Sequence, residues 1–375
     1  EGNTGFYVRG GGPDQNLILL DEAVVYNAAH LFGFFSVFNS DAIKNVNLIK
    51  GGMPANYGGR LSSVLDISMK DGNTKKFQAD GGIGLIASRL TLQAPIQKNK
   101  SSFIVSGRRT YIDVLTEPFI NDTSKYKGSG YYFYDLNAKV NYQFSDNDKL
   151  YLSGYFGKDV FSFARPKDDF RIDIPWGNAT ASLRWNHLFN EKLFLNTTAI
   201  YSSYNFKFNG SQDKFSFGVF SGIRDWNLKA DFSYFPNLNH SIKFGVNYTY
   251  HTFIPSNVSV SQGDTDFDFG DVVQLYANEG AIYILDDFKV NELLKINFGL
   301  RGSIFQHIGP FTRYNKDESG NTTSIDEYNQ NEVIKTYIYP EPRITGRYIL
   351  DENSSVKMGL THNYQYMHLV SAGGN

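Results

Sequence analysis

Between about Tyr131 and Met367 the chain repeats segments in which polar and apolar residues strictly alternate. One segment alternates Asp135-Asn137-Lys139-Asn141 with Leu136-Ala138-Val140-Tyr142, and another alternates Gly245-Asn247-Thr249 with Phe244-Val246-Tyr248. Successive side chains of a strand point to opposite faces, so each segment has one polar and one apolar surface. We expect the apolar sets to face lipid and the polar sets to face a lumen, as in a transmembrane β-barrel.

The connections between these segments differ in length. Short ones rich in Asn, Asp and Lys suit tight turns and fall at 96–100, 145–149, 190–192, 237–240, 291–294 and 351–354. Longer ones lie between them at 116–130, 165–175, 210–217, 255–273 and 309–339. This alternation predicts turns on one side of a sheet and loops on the other, the asymmetry of outer-membrane barrels.

Counting from Phe77 gives about thirteen strands, which is too few and of the wrong parity to close a bacterial barrel. We therefore expect further strands beyond Asn375. Residue 1 is Glu and no signal peptide follows it, so we interpret the chain as a fragment.

Composition narrows the class of protein. No run of 18 apolar residues occurs and the mean hydropathy is -0.35, so a helical membrane span is not expected. Aromatic residues make up 16% of the chain, as interfacial girdles require. The net charge is -2 without basic clusters, so we expect no nucleic-acid partner, and the absence of cysteine agrees with passage through an oxidising compartment.

Residues 1–74 have a different pattern and precede the barrel. Short apolar runs at 17–20, 46–49 and 64–67 predict strands, and Ser40 is placed to cap a brief helix beginning at Asp41. This glycine-rich piece predicts a small α+β domain folded inside a wide barrel.

Two stretches of this piece carry a family resemblance. They read "YVRGGGPDQNLILLDEAVVYN" at 7–27 and "AIKNVNLIKGGMPANYGGRLSSVLDISMKDGN" at 42–73. They resemble the plug domain and barrel start of TonB-dependent outer-membrane receptors, particularly the Bacteroidetes type. The matching motifs are Arg9-Gly10, Leu19-Leu20-Asp21, Lys50-Gly51 and Tyr57-Gly58. Glu22 departs from the family, which has glycine there, so the geometry of that turn is an open question.

The resemblance implies a fold and a division of the chain. It implies a plug domain at 1–74 and a barrel domain at 75–375. The fold is then an all-β transmembrane β-barrel, present as about thirteen of an expected twenty-two antiparallel strands, preceded by the small α+β plug.

The resemblance also implies a function in the outer membrane of a Gram-negative bacterium. That function is energised uptake of a scarce nutrient such as a siderophore, another metal complex or an oligosaccharide. Its implied partners are outer-membrane lipid, TonB acting through a segment before Glu1, a small extracellular ligand and, in some cases, a surface lipoprotein. A passive binding or adhesion barrel is the alternative, and a secreted polysaccharide-cleaving enzyme is a second rival that the apolar outer faces disfavour.

Several plug residues are candidates for contact with the barrel. They are Arg9, Gly10, Asp21, Lys50, Gly51, Tyr57, Gly58 and Arg60. Arg9 and Lys50 are expected to pair with lumen carboxylates, with Glu341 as the first candidate, although surface water is the competing environment. The glycines are expected to permit positive φ and close passage of the backbone against the wall.

Candidates for ligand binding lie on the plug apex and the long loops. They are Asp14, Gln15, Tyr126, Trp176 and Tyr314, and the aromatic ones are equally consistent with ordinary loop residues. Asp264, Asp266, Asp268 and Asp271 form an acidic loop that lacks the Gly and Glu of a calcium-binding loop, so a solvated loop is favoured over a cation site. No catalytic, zinc-binding or nucleotide-binding motif is convincing, and we expect no catalytic residue, metal or cofactor.

Overall fold

The computed structural model describes residues 6–30, 33–121, 124, 127–267, 273–317 and 319–368. It contains a small mixed sheet near the start of the chain and a large antiparallel sheet that follows it. We call the first part, up to residue 74, the plug, and the large sheet the wall.

The plug is built around a four-stranded sheet. A 3-10 turn at Pro13–Gln15 leads into β1 (Asn16–Leu20), β2 (Ala23–Val24), β3 (Ala29–His30), β4 (Phe35–Ser36), β5 (Ile43–Lys50) and β6 (Ser63–Met69). The sheet order is β2-β1-β6-β5, with β1 and β6 parallel, and β3 pairs separately with β4. Its apolar core includes Ile18, Leu20 and Ile67, so the plug buries its own hydrophobic residues.

The helix expected after Ser40 is not formed. Asn39 holds a turn instead, because its Oδ1 accepts a hydrogen bond from the Asp41 amide at 3.1 Å and its carbonyl accepts one from the Ala42 amide at 3.0 Å. Strand β5 then begins at Ile43. A short polar side chain that bonds its own backbone two residues later competes with helix formation, which explains the wrong prediction.

The wall runs as an antiparallel meander. Its strands are β7 (Gln78–Ile83), β8 (Ala87–Gln97), β9 (Ser101–Thr110), β10 (Gly130–Gln143), β11 (Asp148–Arg165), β12 (Phe170–Asn190), β13 (Leu193–Gln212), β14 (Phe215–Asn237), β15 (His240–Gln262), β17 (Leu275–Lys289), β18 (Leu294–Ile308), β21 (Val333–Ile349) and β22 (Ser355–Thr361). Along the described chain these thirteen strands pair in sequence order from β7 to β22, as the sequence predicted.

The remaining elements lie in connections. β16 (Thr265–Phe267) adds to β15, and β19 (Phe311–Lys316) pairs with β20 (Thr322–Tyr328) as a hairpin. Helix α1 (Ile112–Thr116) and 3-10 turns at Glu117–Phe119 and Pro166–Asp168 complete the set. No helix in the described ranges has both the length and the apolar character needed to cross a membrane.

The two faces of the wall have the predicted orientation. On β10, Asn137 and Lys139 are 1% and 3% exposed, whereas Leu136 is 48% exposed. On β15, Val246 and Tyr248 are about half exposed. Polar side chains are thus buried against the plug and apolar ones form an outer belt, the reverse of a water-soluble protein.

Two of the predicted long loops are tight turns. The strands flanking 165–175 and 210–217 continue toward each other, leaving four residues between β11 and β12 and two between β13 and β14. Asp169 and Asp213 take positive φ of 45° and 51° in these turns, a conformation that Asp tolerates better than most residues. Strands β14 and β15 reach 23 residues, well beyond the roughly 9–11 that cross a bilayer.

Candidate functional site at the plug and barrel interface

Residues 21–30 of the plug run along the inner face of the wall, and we call them the latch segment. The segment begins where β1 ends, with Asp21 and Glu22 both in the left-handed region at φ 44° and 74°. This turn directs two successive carboxylates toward the wall. The contacts of the segment with the wall involve the five consecutive strands β10 to β14.

Asp21 connects the plug sheet to β10. Its Oδ1 accepts a hydrogen bond from the Met69 amide at 2.9 Å, and its Oδ2 lies 3.0 Å from Nζ of Lys139. Lys139 also lies 3.3 Å from Asp71 and donates to the Met69 carbonyl at 3.1 Å. Both Asp21 and Lys139 are buried, so each charge depends on the other for compensation.

Glu22 bridges three further strands. Its carboxylate lies 3.2 Å from Arg184 on β12, 3.2 Å from the Thr198 hydroxyl on β13 and 3.4 Å from Lys229 on β14. Burial alone raises the pKa of this carboxyl, but Lys229 and Arg184 outweigh it and hold the pKa below its ordinary value. The turn keeps the left-handed geometry that glycine favours, although Glu occupies it.

The middle of the latch segment is held by hydrogen bonds, one of which ends on a carboxylate. The Ser202 hydroxyl donates to the Val24 carbonyl, and the Tyr26 hydroxyl donates to Asp225. Asn178 donates to the Asn27 carbonyl at 2.7 Å, while the Asn27 amide donates back to the Asn178 side chain at 3.3 Å. The bonds at Val24 and Asn27 satisfy backbone groups of the latch segment, whereas the bond of Tyr26 joins two side chains.

His30 ends the latch segment between two carboxylates of the wall. Its Nε2 lies 2.7 Å from Asp135 on β10 and its Nδ1 lies 2.7 Å from Asp159 on β11. The ring is 1% exposed and stacks on Phe133 with centroids 4.0 Å apart. Burial lowers the pKa of His30, but the hydrogen bonds to Asp135 and Asp159 outweigh it and raise the pKa above its ordinary value. Both ring nitrogens face acceptors, which fits the doubly protonated imidazolium.

A second contact joins the plug to the far side of the wall. Nη1 of Arg343 on β21 donates to the carbonyls of Met53, Pro54 and Tyr57 at 3.2, 2.7 and 2.7 Å. Arg301 on β18 donates to the Ala55 carbonyl at 3.4 Å. Here the wall supplies the charge and the plug supplies only backbone oxygens.

This arrangement replaces the expected pair between Arg9 and Glu341. Glu341 lies 2.5 Å from Arg343 and 3.7 Å from Arg301, so its charge is compensated within the wall. Arg9 is exposed and has no carboxylate within 4.0 Å among the described residues. The prediction that Glu341 lies in the lumen is confirmed, but its partners are Arg343 and Arg301 instead of Arg9.

The remaining predicted plug residues have different environments. Lys50 is exposed without an ion pair in the described part of the chain, and Arg60 donates to its neighbour, the Gly59 carbonyl, at 2.8 Å. Tyr57 donates to Asp66 at 2.8 Å within the plug, which leaves its carbonyl for Arg343. Gly10 is exposed with φ 79°.

Two glycines allow close approaches. A Cβ at Gly58 would lie 2.4 Å from Nε of Arg301, so a side chain there would push the wall arginine away. Gly51 has φ 77°, and a Cβ there would lie 2.1 Å from Nη1 of Arg9. The motif glycines therefore keep space for arginine side chains.

The predicted ligand residues do not converge on one place. Trp176 is buried on β12, and its ring lies 6.3 Å from that of Tyr131, which donates to the Asp159 that holds His30. Asp14 accepts from Gln365 at its carbonyl, at 3.0 Å. The Gln15 carbonyl accepts from the Ser62 amide at 2.9 Å. Tyr314 is exposed on β19.

Some predicted positions cannot be placed. Tyr126, Asp268 and Asp271 lie outside the described residues, while Asp264 and Asp266 are exposed beside the β15–β16 turn. Among the residues that are described, no group of three or more His, Cys, Asp or Glu side chains is arranged to hold a metal ion.

Sequence reasoning found Asp21 but missed most of the latch segment. Glu22 was noticed only as a departure from a motif, and Tyr26, Asn27 and His30 were not predicted to contact the wall. The available signal was the set of charged residues on the lumen face of the wall, namely Asp135, Asp159, Arg184, Asp225 and Lys229, each of which needs a partner when buried.

Comparison with known proteins agrees with this architecture. Residues 1–63 match the family model of the TonB-dependent Receptor Plug Domain. No curated protein matches the chain in sequence.

Solved structures share the fold at low sequence identity. The siderophore receptor PirA from Pseudomonas aeruginosa is 15% identical with a TM-score of 0.62, over 97% of this chain and 56% of that one. The FrpB iron transporter from Neisseria meningitidis (F3-3 variant) is 12% identical with a TM-score of 0.62, over 95% and 58%. The copper transporter OprC is 12% identical with a TM-score of 0.66, over 93% and 55%.

The chain therefore spans little more than half the length of these structures. Its plug matches the family model, and its wall has the same fold as theirs. The Bacteroidetes subtype remains a prediction. The chain therefore carries a TonB-dependent receptor plug domain at 1–63, followed by a wall that shares the fold of solved outer-membrane receptors.

Proposed function

We propose that this chain forms the plug and part of the barrel of a receptor that imports a scarce nutrient, and that release of the latch segment opens the lumen. The observation that carries the proposal is that residues 21–30 join the plug to five consecutive wall strands through hydrogen bonds and ion pairs. The residues we assign to plug retention are Asp21, Glu22, Tyr26, Asn27 and His30.

A polar interface suits a plug that has to move. Water can replace each lost hydrogen bond when the latch segment leaves the wall, so the net free-energy difference per bond is only about 0.5–1.5 kcal/mol. Most of the apolar core of the plug, including Ile18, Leu20 and Ile67, is contributed by plug residues, with Tyr155 of the wall joining the same cluster. Movement away from the wall therefore exposes only the part of this core that packs on wall side chains such as Tyr155.

The plug domain and the shared fold support a proposal for the substrate class and the partners. Structures that share the fold are titled as a siderophore receptor, an iron transporter and a copper transporter. We propose a siderophore, another metal complex or an oligosaccharide as substrate, and TonB as the source of energy through a segment preceding the plug. Specificity is assigned to the connections at 116–130, 255–273 and 309–339 and to the plug apex, with a surface lipoprotein as a further partner.

The domain division proposed at residue 74 follows the change in sheet. The last plug strand ends at Met69 and the first wall strand begins at Gln78. A passive binding or adhesion barrel is the alternative function. It requires no release of the latch segment, which makes the two functions separable by experiment.

A disulfide lock tests whether the latch segment has to move. We expect the pair Asn27→Cys and Asn178→Cys, placed in the complete receptor, to abolish uptake when oxidised and to restore it on reduction, while ligand binding persists. The chain contains no other cysteine, so the added pair has no competing thiol within it.

A matched control lies within the wall. Asn141 and Ser102 are cross-strand neighbours joined by a 2.8 Å hydrogen bond, so a disulfide there leaves the plug free and should not affect uptake. Unchanged uptake with the 27–178 disulfide fully formed would contradict release of the latch segment and favour the passive barrel.

Glu22 offers a test of the ion pairs alone. We expect Glu22→Gln to lower the free energy of plug release by roughly 1–3 kcal/mol, because Arg184 and Lys229 lose a charged partner. Glu22→Gly should lose less, since glycine relieves about 1–2 kcal/mol of left-handed backbone strain. The measurement is the urea dependence of thiol labelling at Val25→Cys, a buried plug position, in each background.

The control for this series is Glu191→Gln in an exposed turn of the wall. Equal labelling of the Glu22 and Glu191 variants would show that the Glu22 carboxylate does not retain the plug.

His30 predicts a pH dependence of plug release. Its pKa is raised in the folded state, so its contribution is complete below the unfolded value of about 6.5 and is lost as pH rises through the folded pKa. We expect the free energy of plug release to fall over that interval, and His30→Asn to remove this part of the slope. His187→Asn, which alters a His–Asp pair inside the wall at 2.7 Å, should keep it.

Asp135 and Asp159, which face His30, are present in both variants. The informative quantity is therefore the difference in slope between them. An identical slope in the His30 and His187 variants would exclude His30 as the titrating contact.

A further inference from the structure

The outer face of the wall carries a basic groove directly above its apolar belt. Tyr201, Trp226 and Tyr250 stand side by side in one cross-strand row, with the Tyr201 and Trp226 rings 4.8 Å apart. Such a row of amphipathic rings marks the boundary between hydrocarbon and headgroups. It lies near the middle of β13 and β14, eight residues after Leu193 and eleven before Asn237, which is about one bilayer span from the short turns at 190–192 and 237–240.

Three cations follow above this row on the same face. Arg224 pairs with Ser203 in the next row, which lies two residues, or about 7 Å, further along the strands from the short turns. Lys158 aligns across Gly177 with Asn205 in the row after that, and Lys207 aligns with Phe220 in the next. Trp226 and Arg224 are two residues apart on β14, so both side chains point to the outer face of the wall.

Small residues open a depression between these side chains. The groove has a volume of about 810 Å³, and its lining includes Lys158, Gly177, Asn205, Lys207, Gly218 and Asn257. Gly177 and Gly218 expose backbone where neighbouring strands carry long side chains. The amide side chains of Asn205 and Asn257 therefore border the recess, together with the basic side chains of Lys158 and Lys207.

The cations in and next to this groove are uncompensated. Lys158 and Lys207, which line it, and Arg224, one row below Lys158, have no carboxylate within 4.0 Å in the described ranges, and Lys207 lies over the Phe220 ring at 5.5 Å. Asp173 lies on the same outer face, but Arg171 binds it at 2.6 Å and the Ser162 hydroxyl donates to it at 2.6 Å. The groove thus has a net positive charge available to an external anion.

We propose that this groove binds the phosphate group of a phosphorylated glycolipid in the outer leaflet. The acyl chains would lie on the apolar belt below Trp226, the phosphate would sit among Arg224, Lys158 and Lys207, and Asn205 and Asn257 would hydrogen-bond sugar hydroxyls. Charge complementarity and the position above the aromatic row favour a lipid headgroup over a protein partner.

The test uses the complete receptor in nanodiscs of phosphatidylcholine doped with diphosphoryl lipid A. After detergent extraction and washing, we expect the wild-type receptor to retain roughly tenfold or more lipid A than the triple variant K158Q/K207Q/R224Q. Lipid A treated with phosphatase should not be retained by either. The control variant K98Q/K100Q/K192Q removes the same charge from exposed turns at the opposite end of the wall and should match the wild type.

Three outcomes would overturn the proposal. They are equal retention by the triple variant and the wild type, equal retention of the phosphatase-treated lipid by the wild type, and displacement of lipid A by millimolar inorganic phosphate, which would assign the groove to a soluble anion. Unheated migration of each variant on a gel checks that its barrel is folded. The proposal depends on the outer face alone, so its failure would leave the proposed uptake function intact.

Discussion

The structure depends on the alternation of polar and apolar side chains along strands that are paired on both sides. A bilayer offers no hydrogen-bonding partner to the backbone, so the strands have to pair with one another, and every second side chain then has to be apolar. The remaining side chains point inward, where Asn137, Lys139 and Arg301 are almost completely buried. A domain that fills such a lumen has to satisfy polar groups, and this requirement determines how the plug is held.

Two kinds of contact meet the requirement, and they differ in what the plug contributes. At β18 and β21 the wall arginines bind plug carbonyls, while the charge of Arg343 is compensated by Glu341 of the same strand. Along the latch segment the plug contributes charges of its own, Asp21, Glu22 and His30, to wall residues of opposite sign. Removing the plug there leaves buried charges without partners unless water enters, so the latch segment couples plug position to hydration of the lumen.

The sequence was sufficient for the wall because its period-two pattern is enforced at every strand. It gave thirteen strands and the correct outward face, and it located β1, β5 and β6 of the plug. The prediction failed where local hydrogen bonds or backbone conformation outweighed the pattern of polar and apolar residues. A turn at Asn39 forms instead of the predicted helix, and tight turns at Asp169 and Asp213 form instead of the predicted long loops. Partner choice was wrong for Glu341 because several lumen cations were available to it, although Arg343 lies two residues along the same strand and therefore on the same face. His30 was missed because a lone histidine carries no periodic signal, whereas its two aspartates are more than a hundred residues away in sequence.

The central claim is that the latch segment, with the short edge strand β2, releases from the wall while strands β1, β5 and β6 of the plug sheet stay paired. Hydrogen–deuterium exchange of the complete receptor, resolved by mass spectrometry with and without substrate and the energising partner, measures this directly. The account predicts that amides of residues 21–30 exchange through a lower free energy of opening than those of buried β6, and that energisation accelerates only the former. Simultaneous exchange of both segments would mean that the plug unfolds or leaves as one unit, and would contradict a separately releasable latch.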